Sequence, residues 1–160
     1  MKSVNIVTVF FDSDLSDFMG NAQFGKKIKK IVAKKDIYGQ KNIINNICIV
    51  TFFNAMSSDE DEELTNKYDI LWTFGHLEDD NFVNEKIAIS DIDVSVNKID
   101  KIENVTCKSF TNQFLKINLE NYEVKTPGKY YLKVYLRKKN GDQDAVWQAQ
   151  SINAIDVEIE

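Results

Sequence analysis

The most constraining feature of this chain is an alternation of apolar and polar residues that runs from Phe114 to Glu160. Two turn sequences, Pro127-Gly128 and Asn140-Gly141-Asp142, interrupt the alternation. A period of two across segments separated by turns predicts antiparallel strands with one buried face. The residues predicted to face the core are Leu115, Ile117, Leu119, Tyr130, Leu132, Val134, Leu136, Ile155, Val157 and Ile159.

The composition is typical of one globular domain, which we predict to span residues 1–160. The chain has 43% hydrophobic and 28% charged residues, so disorder is not expected. Its net charge of -5 argues against a general nucleic-acid binder, which would usually be basic. No apolar run approaches the ~20 residues of a membrane span. We therefore expect a cytoplasmic protein with no cofactor, no membrane partner and no nucleic-acid partner.

Three further segments predict extended structure. Val4–Phe11 is apolar on both faces, which is typical of a central strand, and its Asn5 and Thr8 argue against a signal peptide. Ile43–Phe53 predicts one long strand because it is rich in β-branched and aromatic residues. Phe24–Lys35 fits both helical and strand spacing, and we favour an extended segment.

A phase change between Ile89 and Ile92 predicts a β-bulge at Ser90-Asp91, because one extra residue reverses the alternation. All such segments together give roughly seven to nine strands and at most one short helix. The chain lacks strand–helix–strand alternation, which weighs against a parallel sheet. The predicted fold is therefore all-β, an antiparallel β-sandwich of the immunoglobulin-like or C2-like type.

Single residues with chemical potential are few. Cys48 and Cys107 are too few to staple a secreted scaffold, and a small buried thiol at Cys48 is favoured over a disulfide between them. His76 is the only histidine, so a multi-histidine zinc site is excluded. We predict that His76 lies at a strand end, exposed or hydrogen-bonded.

Two runs of like charge are also present. The lysines between Lys26 and Lys35 could bind an anionic partner, but a solvated face or a guarded strand edge is favoured. The acidic run Asp59–Glu63 lacks the spaced oxygens and glycine turn of a calcium loop, so we predict a solvated loop there.

An Asp12-x-Asp14 motif at the end of an apolar segment is the strongest enzyme-like pattern. It resembles haloacid-dehalogenase-type phosphatases, in which the resemblance implies a nucleophile and a general acid around a divalent ion, with Asp79 and Asp80 as a distal pair. It is also similar to the metal-binding motif of nucleotide-sugar glycosyltransferases. Asp12 and Asp14 are therefore the candidate metal ligands, although a structural turn is favoured because aspartate is common in turns.

The strongest candidate for binding is the face opposite the predicted core. Tyr131, Lys133, Tyr135 and Arg137 alternate with core residues, and Trp147 follows the next turn. An aromatic and basic sheet face suits a protein, peptide or carbohydrate, unless it is itself covered. Our main hypothesis is a non-enzymatic binding or assembly module that engages a protein partner or a second copy. The alternatives are a metal-dependent phosphoryl or glycosyl transferase using Asp12 and Asp14, and a carbohydrate-binding domain.

The same stretch carries a family resemblance. Alternating Leu115 to Leu119, followed by Thr126-Pro127-Gly128-x-Tyr130 and a second alternating strand, resembles a small uncharacterised family of bacterial β-sandwich domains. The resemblance covers the last third of the chain and implies a β-sandwich. That family supplies no functional residue to carry over.

Overall fold

A computed structural model describes residues 2–12, 27–57, 67–93, 97–98, 109–138 and 146–160. Within these ranges the chain forms eleven strands and no helix, so the all-β prediction is confirmed. The sequence predicted roughly seven to nine strands; eight of the eleven have six residues or more, and the other three are short. The strands are β1 (Lys2–Asp12), β2 (Lys30–Lys35), β3 (Asn42–Ile44), β4 (Ile47–Ser57), β5 (Lys67–Glu78), β6 (Asn81–Asp93), β7 (Asn97–Lys98), β8 (Ser109–Leu119), β9 (Tyr122–Glu123), β10 (Gly128–Lys138) and β11 (Gln148–Ile159).

The strands form two sheets that pack against each other as a sandwich. The four-stranded sheet has the order β1-β4-β8-β7, and the seven-stranded sheet has the order β6-β5-β10-β11-β2-β3-β9. The pairs are antiparallel except for β11 with β2, which run parallel. A salt bridge of 3.2 Å between Lys30 and Glu158 lies across that parallel pair.

The core lies between the two sheets and is held together by alternate residues of their long strands. Phe53 of the four-stranded sheet contacts Tyr68 of the other, with ring centroids 5.8 Å apart. Trp72 is fully buried, and its indole N–H donates to the hydroxyl of Thr51 in the opposite sheet at 2.9 Å. This hydrogen bond satisfies a buried donor that would otherwise be costly to desolvate. The predicted core residues Tyr130, Leu132, Val134, Leu136, Leu119, Ile155 and Val157 are buried.

The position predicted for the first strand is wrong. β1 lies at the edge of its sheet, not in the centre. The open edge of β1 is paired near its C-terminal end with the following segment of chain. The backbone N–H of Ile28 donates to the carbonyl of Phe10 at 3.0 Å, and Phe11 forms a bridge with Lys27.

The segment Ile43–Phe53 is two strands instead of the predicted one. The chain leaves β3 in the large sheet and enters β4 in the small sheet through Asn45 and Asn46. Asn46 has a φ of 60°, a left-handed conformation that asparagine tolerates better than most residues. The Asn45 carboxamide oxygen accepts a hydrogen bond from the backbone N–H of Asn121 at 2.7 Å, which fixes this crossing.

The bulge predicted at Ser90-Asp91 is wrong, because the β5–β6 register is unbroken there; β6 has a bulge earlier in the strand instead. Trp72 pairs with Ala88 and Thr73 pairs with Lys86, so Ile87 is the extra residue. Gly75 lies nearby on β5, where an added Cβ would come within 2.0 Å of the Val83 carbonyl oxygen. The close approach of β6 therefore requires glycine at this position.

The remaining fold predictions concern short stretches. Lys30–Lys35 is extended, as favoured, whereas residues 24–26 fall outside the described ranges. Cys48 is a free, buried thiol whose pKa is raised by burial, and Cys107 falls outside those ranges. In the part of the chain that the structure describes, no helix is long and apolar enough to cross a lipid bilayer.

Candidate functional site

The candidate binding residues lie on the side of the seven-stranded sheet that faces away from the core. Tyr131, Lys133, Tyr135 and Arg137 alternate on β10 with fully or nearly fully buried residues and are themselves half-buried. Directly paired residues on neighbouring strands share a face of the sheet. The register therefore extends this surface over β5, β6 and β11. We call it the outer aromatic face; it comprises Asp69, Leu71, Thr73, Phe82, Lys86, Ile89, Tyr131, Lys133, Tyr135, Arg137, Trp147 and Ile152.

One half of the outer aromatic face is organised around Phe82. The Phe82 ring meets Tyr131 edge to face, with centroids 5.4 Å apart and an interplanar angle of 89°. The ammonium of Lys133 lies 3.2 Å from the centroid of the same ring. The ring pair places the positive edge of one ring against the negative face of the other, and the ammonium lies against a negative ring face. They hold the three side chains in place at a surface without burying them completely.

The other half is organised around Arg137. Its guanidinium lies 4.4 Å from the centroid of the Trp147 ring and donates two hydrogen bonds to one oxygen of Asp69, at 2.7 and 3.1 Å. The side chain of Asp69 is nearly buried, so the positive charge of Arg137 is largely neutralised. Arg137 and Trp147, both predicted as binding residues, are thus in contact, and Arg137 also has a structural role.

Three apolar side chains on this face are about half exposed and were not predicted as binding residues. Phe82, Ile89 and Ile152 have exposed fractions of 47%, 50% and 57%. Ile152 pairs with Lys133, and Ile89 pairs with Leu71, which in turn pairs with Tyr135. The sequence did indicate that Ile152 faces outward, because Ile152 is out of phase with buried Ile155 and Val157 in the alternation of β11. Phe82 could be placed only once the β5–β6 pairing was known.

The proposed metal ligands are only partly described. Asp12 ends β1 opposite Ile47, whereas Asp14 falls outside the described ranges. Asp79 and Asp80 are the two linking residues of the β5–β6 hairpin, with φ values of 46° and 63° typical of a type I′ turn. Among the side chains that can be examined, no three of His, Cys, Asp or Glu converge as metal ligands. The helix-flanked parallel sheet of the phosphatases is not present in the described ranges.

A second concave surface lies where β5 ends and β10 begins. A pocket of about 430 Å³ is bounded here by the end of one strand and the turn before the other. The His76 Nε2 atom is 3.0 Å from a Glu78 carboxylate oxygen, which confirms the prediction of a hydrogen-bonded strand-end histidine. The residues that line the pocket are His76, Leu77, Glu78, Thr126, Pro127, Gly128, Lys129, Tyr130 and Tyr131.

Aromatic packing forms the inner wall of this pocket. The Tyr130 ring stacks on Phe74 at 5.4 Å between centroids and lies 5.0 Å from the His76 ring. Burial raises the pKa of Tyr130, whose hydroxyl donates to the Thr126 carbonyl at 2.7 Å. Burial likewise raises the pKa of Tyr122, whose hydroxyl donates to the Phe74 carbonyl at 3.2 Å. Both phenols are thus neutral hydrogen-bond donors with structural roles.

Comparisons with known proteins add little. No protein family matches this sequence, and no curated protein is significantly similar to it. Two solved structures of β-glucosidase from Listeria innocua, a D270A mutant with laminaribiose and a complex with glucose, align at 9% identity and a TM-score of 0.41. The alignments cover 99% and 98% of this chain but 17% and 16% of the enzyme chains. Similarity at this level transfers neither the fold family nor the activity of those enzymes to this chain.

Proposed function

We propose that this chain is a protein-binding module that uses the outer aromatic face as its docking surface. The observation that carries the proposal is the presence of half-exposed Phe82, Ile89 and Ile152 on one continuous sheet face. Contiguous apolar surface with a polar rim marks protein interaction sites, whereas scattered apolar residues do not. Aromatic side chains are also enriched in the centres of such interfaces.

The contacts of the aromatic rings favour a protein over a carbohydrate. Sugars stack on open, flat ring faces, but Lys133 covers one face of Phe82 and Arg137 covers one face of Trp147. The exposed aliphatic side chains Ile89 and Ile152 offer no ring for stacking. They instead suit the apolar centre of a protein interface.

The charge of the face indicates the kind of partner. Lys133 and Lys86 both pair with Thr73 and so lie on one row across the sheet. Neither has an ion pair with an acidic residue in the described ranges, whereas Arg137 is neutralised by Asp69. A partner that presents acidic residues beside apolar ones would complement this row.

The test compares capture of proteins from the native cell by the wild-type chain and by an Ile89→Lys, Ile152→Lys double variant. We expect a specific partner to be lost with the double variant, because two charges replace exposed apolar side chains of the face. The matched control is Val7→Lys on the outer side of the four-stranded sheet, where Val7 is 45% exposed. Equal capture by wild type and double variant would refute the proposal, and so would binding of a glycan in place of a protein.

A further inference from the structure

The β2–β3 turn displays two large side chains to solvent. Ile37 is 91% exposed and Tyr38 is 76% exposed, the highest values for an isoleucine and a tyrosine in the described ranges. An isolated apolar residue at the surface needs no explanation, but two adjacent ones at the tip of a turn form a protruding knob. We call residues 36–41 the knob.

The knob is held rigidly by hydrogen bonds. One carboxylate oxygen of Asp36 accepts from the backbone N–H groups of Tyr38 and Gln40, at 3.1 and 2.9 Å. The Asp36 backbone N–H donates to the Lys41 carbonyl at 2.8 Å, and its carbonyl accepts from Gly39 at 3.0 Å. The Gln40 hydrogen bond lowers the pKa of Asp36, so the ionised form that makes these bonds dominates at neutral pH. A preorganised loop loses little conformational entropy on binding.

The pocket beside Tyr130 has the properties of a receptor for such a knob. Its wall contains Leu77, Pro127 and the two tyrosines at 130 and 131, and its volume of about 430 Å³ can hold two large side chains. Glu78 lines the pocket and Asp79 and Asp80 follow at the hairpin turn, against the single cation Lys129. The rim is therefore mainly acidic.

A cation lies next to the knob, whose own Asp36 carboxylate is directed at backbone N–H groups of the turn. Lys34 and Lys41 are ion-paired with Glu160 and Glu123, at 3.9 and 3.5 Å, but Lys35 has no ion pair with a described acidic residue. Lys35 is thus the uncompensated cation beside Ile37 and Tyr38. It would complement the acidic hairpin turn at the rim of the pocket.

The strand register places the knob and the pocket at the same end of the seven-stranded sheet. Gly128, at the start of β10, pairs with Val157, and Val157 pairs with Ile31. Beyond this row of paired residues, β2 continues toward the knob, and β10 begins at the pocket. The strand β11 lies between β2 and β10. In a two-fold symmetric dimer of this kind, the knob and the pocket must lie on the same surface of each copy, and here they do.

We propose that two copies of this chain associate end to end, each placing Ile37 and Tyr38 in the pocket beside Tyr130 of the other. The interface is isologous, because each copy supplies one knob and one pocket. The pocket shares Tyr131 with the outer aromatic face, whereas the knob lies outside that face.

The test is the molar mass of the full chain in solution, measured by light scattering after size exclusion over a range of concentrations. We expect twice the monomer mass of 18.4 kDa at high concentration. Ile37→Ser and Lys35→Glu should each weaken the dimer by about 10- to 100-fold in Kd, the range expected for interface anchors. Lys116→Glu, an exposed change on the four-stranded sheet, is the matched control and should leave the mass unchanged.

Charge reversal provides a second, sharper measurement. Glu78→Lys alone should also give monomers, and Asp79→Asn with Asp80→Asn should weaken the dimer without removing the His76–Glu78 hydrogen bond. A mixture of the Lys35→Glu and Glu78→Lys chains should recover the dimer, because both contacts of the mixed pair join opposite charges. A monomeric wild type, a dimer that resists Ile37→Ser and Lys35→Glu, or a mixture that stays monomeric would each overturn the proposal.

Discussion

The inner and outer faces of β5 and β10 differ in the burial of their side chains and in the kind of contacts that these make. On the inner face, Trp72, Phe74 and Tyr130 are buried almost completely, and their polar atoms bond within the fold. On the outer aromatic face, alternate residues of the same strands are half-buried and contact each other in cation–π and ion pairs. The difference teaches that one strand can pack into the core on one side and leave a half-buried, charged and aromatic surface on the other. Substitutions on the two faces should therefore lower the free energy of unfolding by very different amounts.

The largest loss of stability should come from a substitution at the centre of the inner face. Trp72→Ala removes a fully buried indole and leaves a cavity, so we expect a loss of about 3–5 kcal/mol in the free energy of unfolding. Chemical denaturation monitored by circular dichroism measures this loss. A loss below about 1 kcal/mol would show that the two sheets do not depend on this contact.

A change at Gly75 should also lower stability clearly, although Gly75 lies on the outer side of β5. The added methyl group of Gly75→Ala would meet the backbone carbonyl of Val83, which can move only if β6 shifts. We expect a loss of about 1–3 kcal/mol in stability, as for other overpacked sites. Hydrogen exchange should locate the damage in the β5–β6 pair. Uniformly increased exchange across all strands would contradict this local account.

Arg137→Ala tests the structural role of one side chain on the outer aromatic face. It leaves the nearly buried Asp69 carboxylate without its two hydrogen bonds from the guanidinium, so we expect a loss of about 1.5–3 kcal/mol in stability. Lys133→Ala is the matched change, since it removes only a cation–π contact worth about 0.5–1 kcal/mol at an exposed site. Equal thermal midpoints for the two variants would show that the Asp69 contact adds nothing.

The smallest expected change is in how the stability of the fold declines at alkaline pH. Burial raises the pKa of Tyr122 above its unfolded value of about 10, so the folded chain holds this proton more tightly than the unfolded chain. The resulting stabilisation is complete below pH ~10 and is lost as the pH rises toward the folded pKa. Tyr122→Phe should cost about 1 kcal/mol at neutral pH, by loss of one hydrogen bond, and should flatten the decline in stability above pH ~10. Urea titrations at pH 8 and above measure both effects.

Much of the fold followed from local pattern alone. The alternation around Leu132 identified which residues of β10 face the core, and Pro127-Gly128 marked where that strand begins. Local pattern did not reveal that Ile43–Phe53 crosses between sheets, because that depends on how Asn45 is held by a residue distant in sequence. It also misplaced the bulge, since the extra residue is defined by the partner strand.

The candidate site was predictable only in part, for the same reason. Tyr131, Lys133, Tyr135 and Arg137 share a face as their spacing requires. Their contacts with Phe82, Trp147 and Asp69 join segments that are far apart in the sequence. The sequence around a single charged residue such as Asp69 does not indicate which residue it will pair with.

The sequence by itself determined that the chain is built of strands and which side of its clearest strands is apolar, because a period of two is a local property of the backbone. Only the tertiary structure decided which strands are neighbours, where the edges lie and which outward side chains meet. Those features depend on pairing between segments separated by tens of residues, and many partners are compatible with one alternating pattern. The outer aromatic face and the pocket beside Tyr130 both arise at that level.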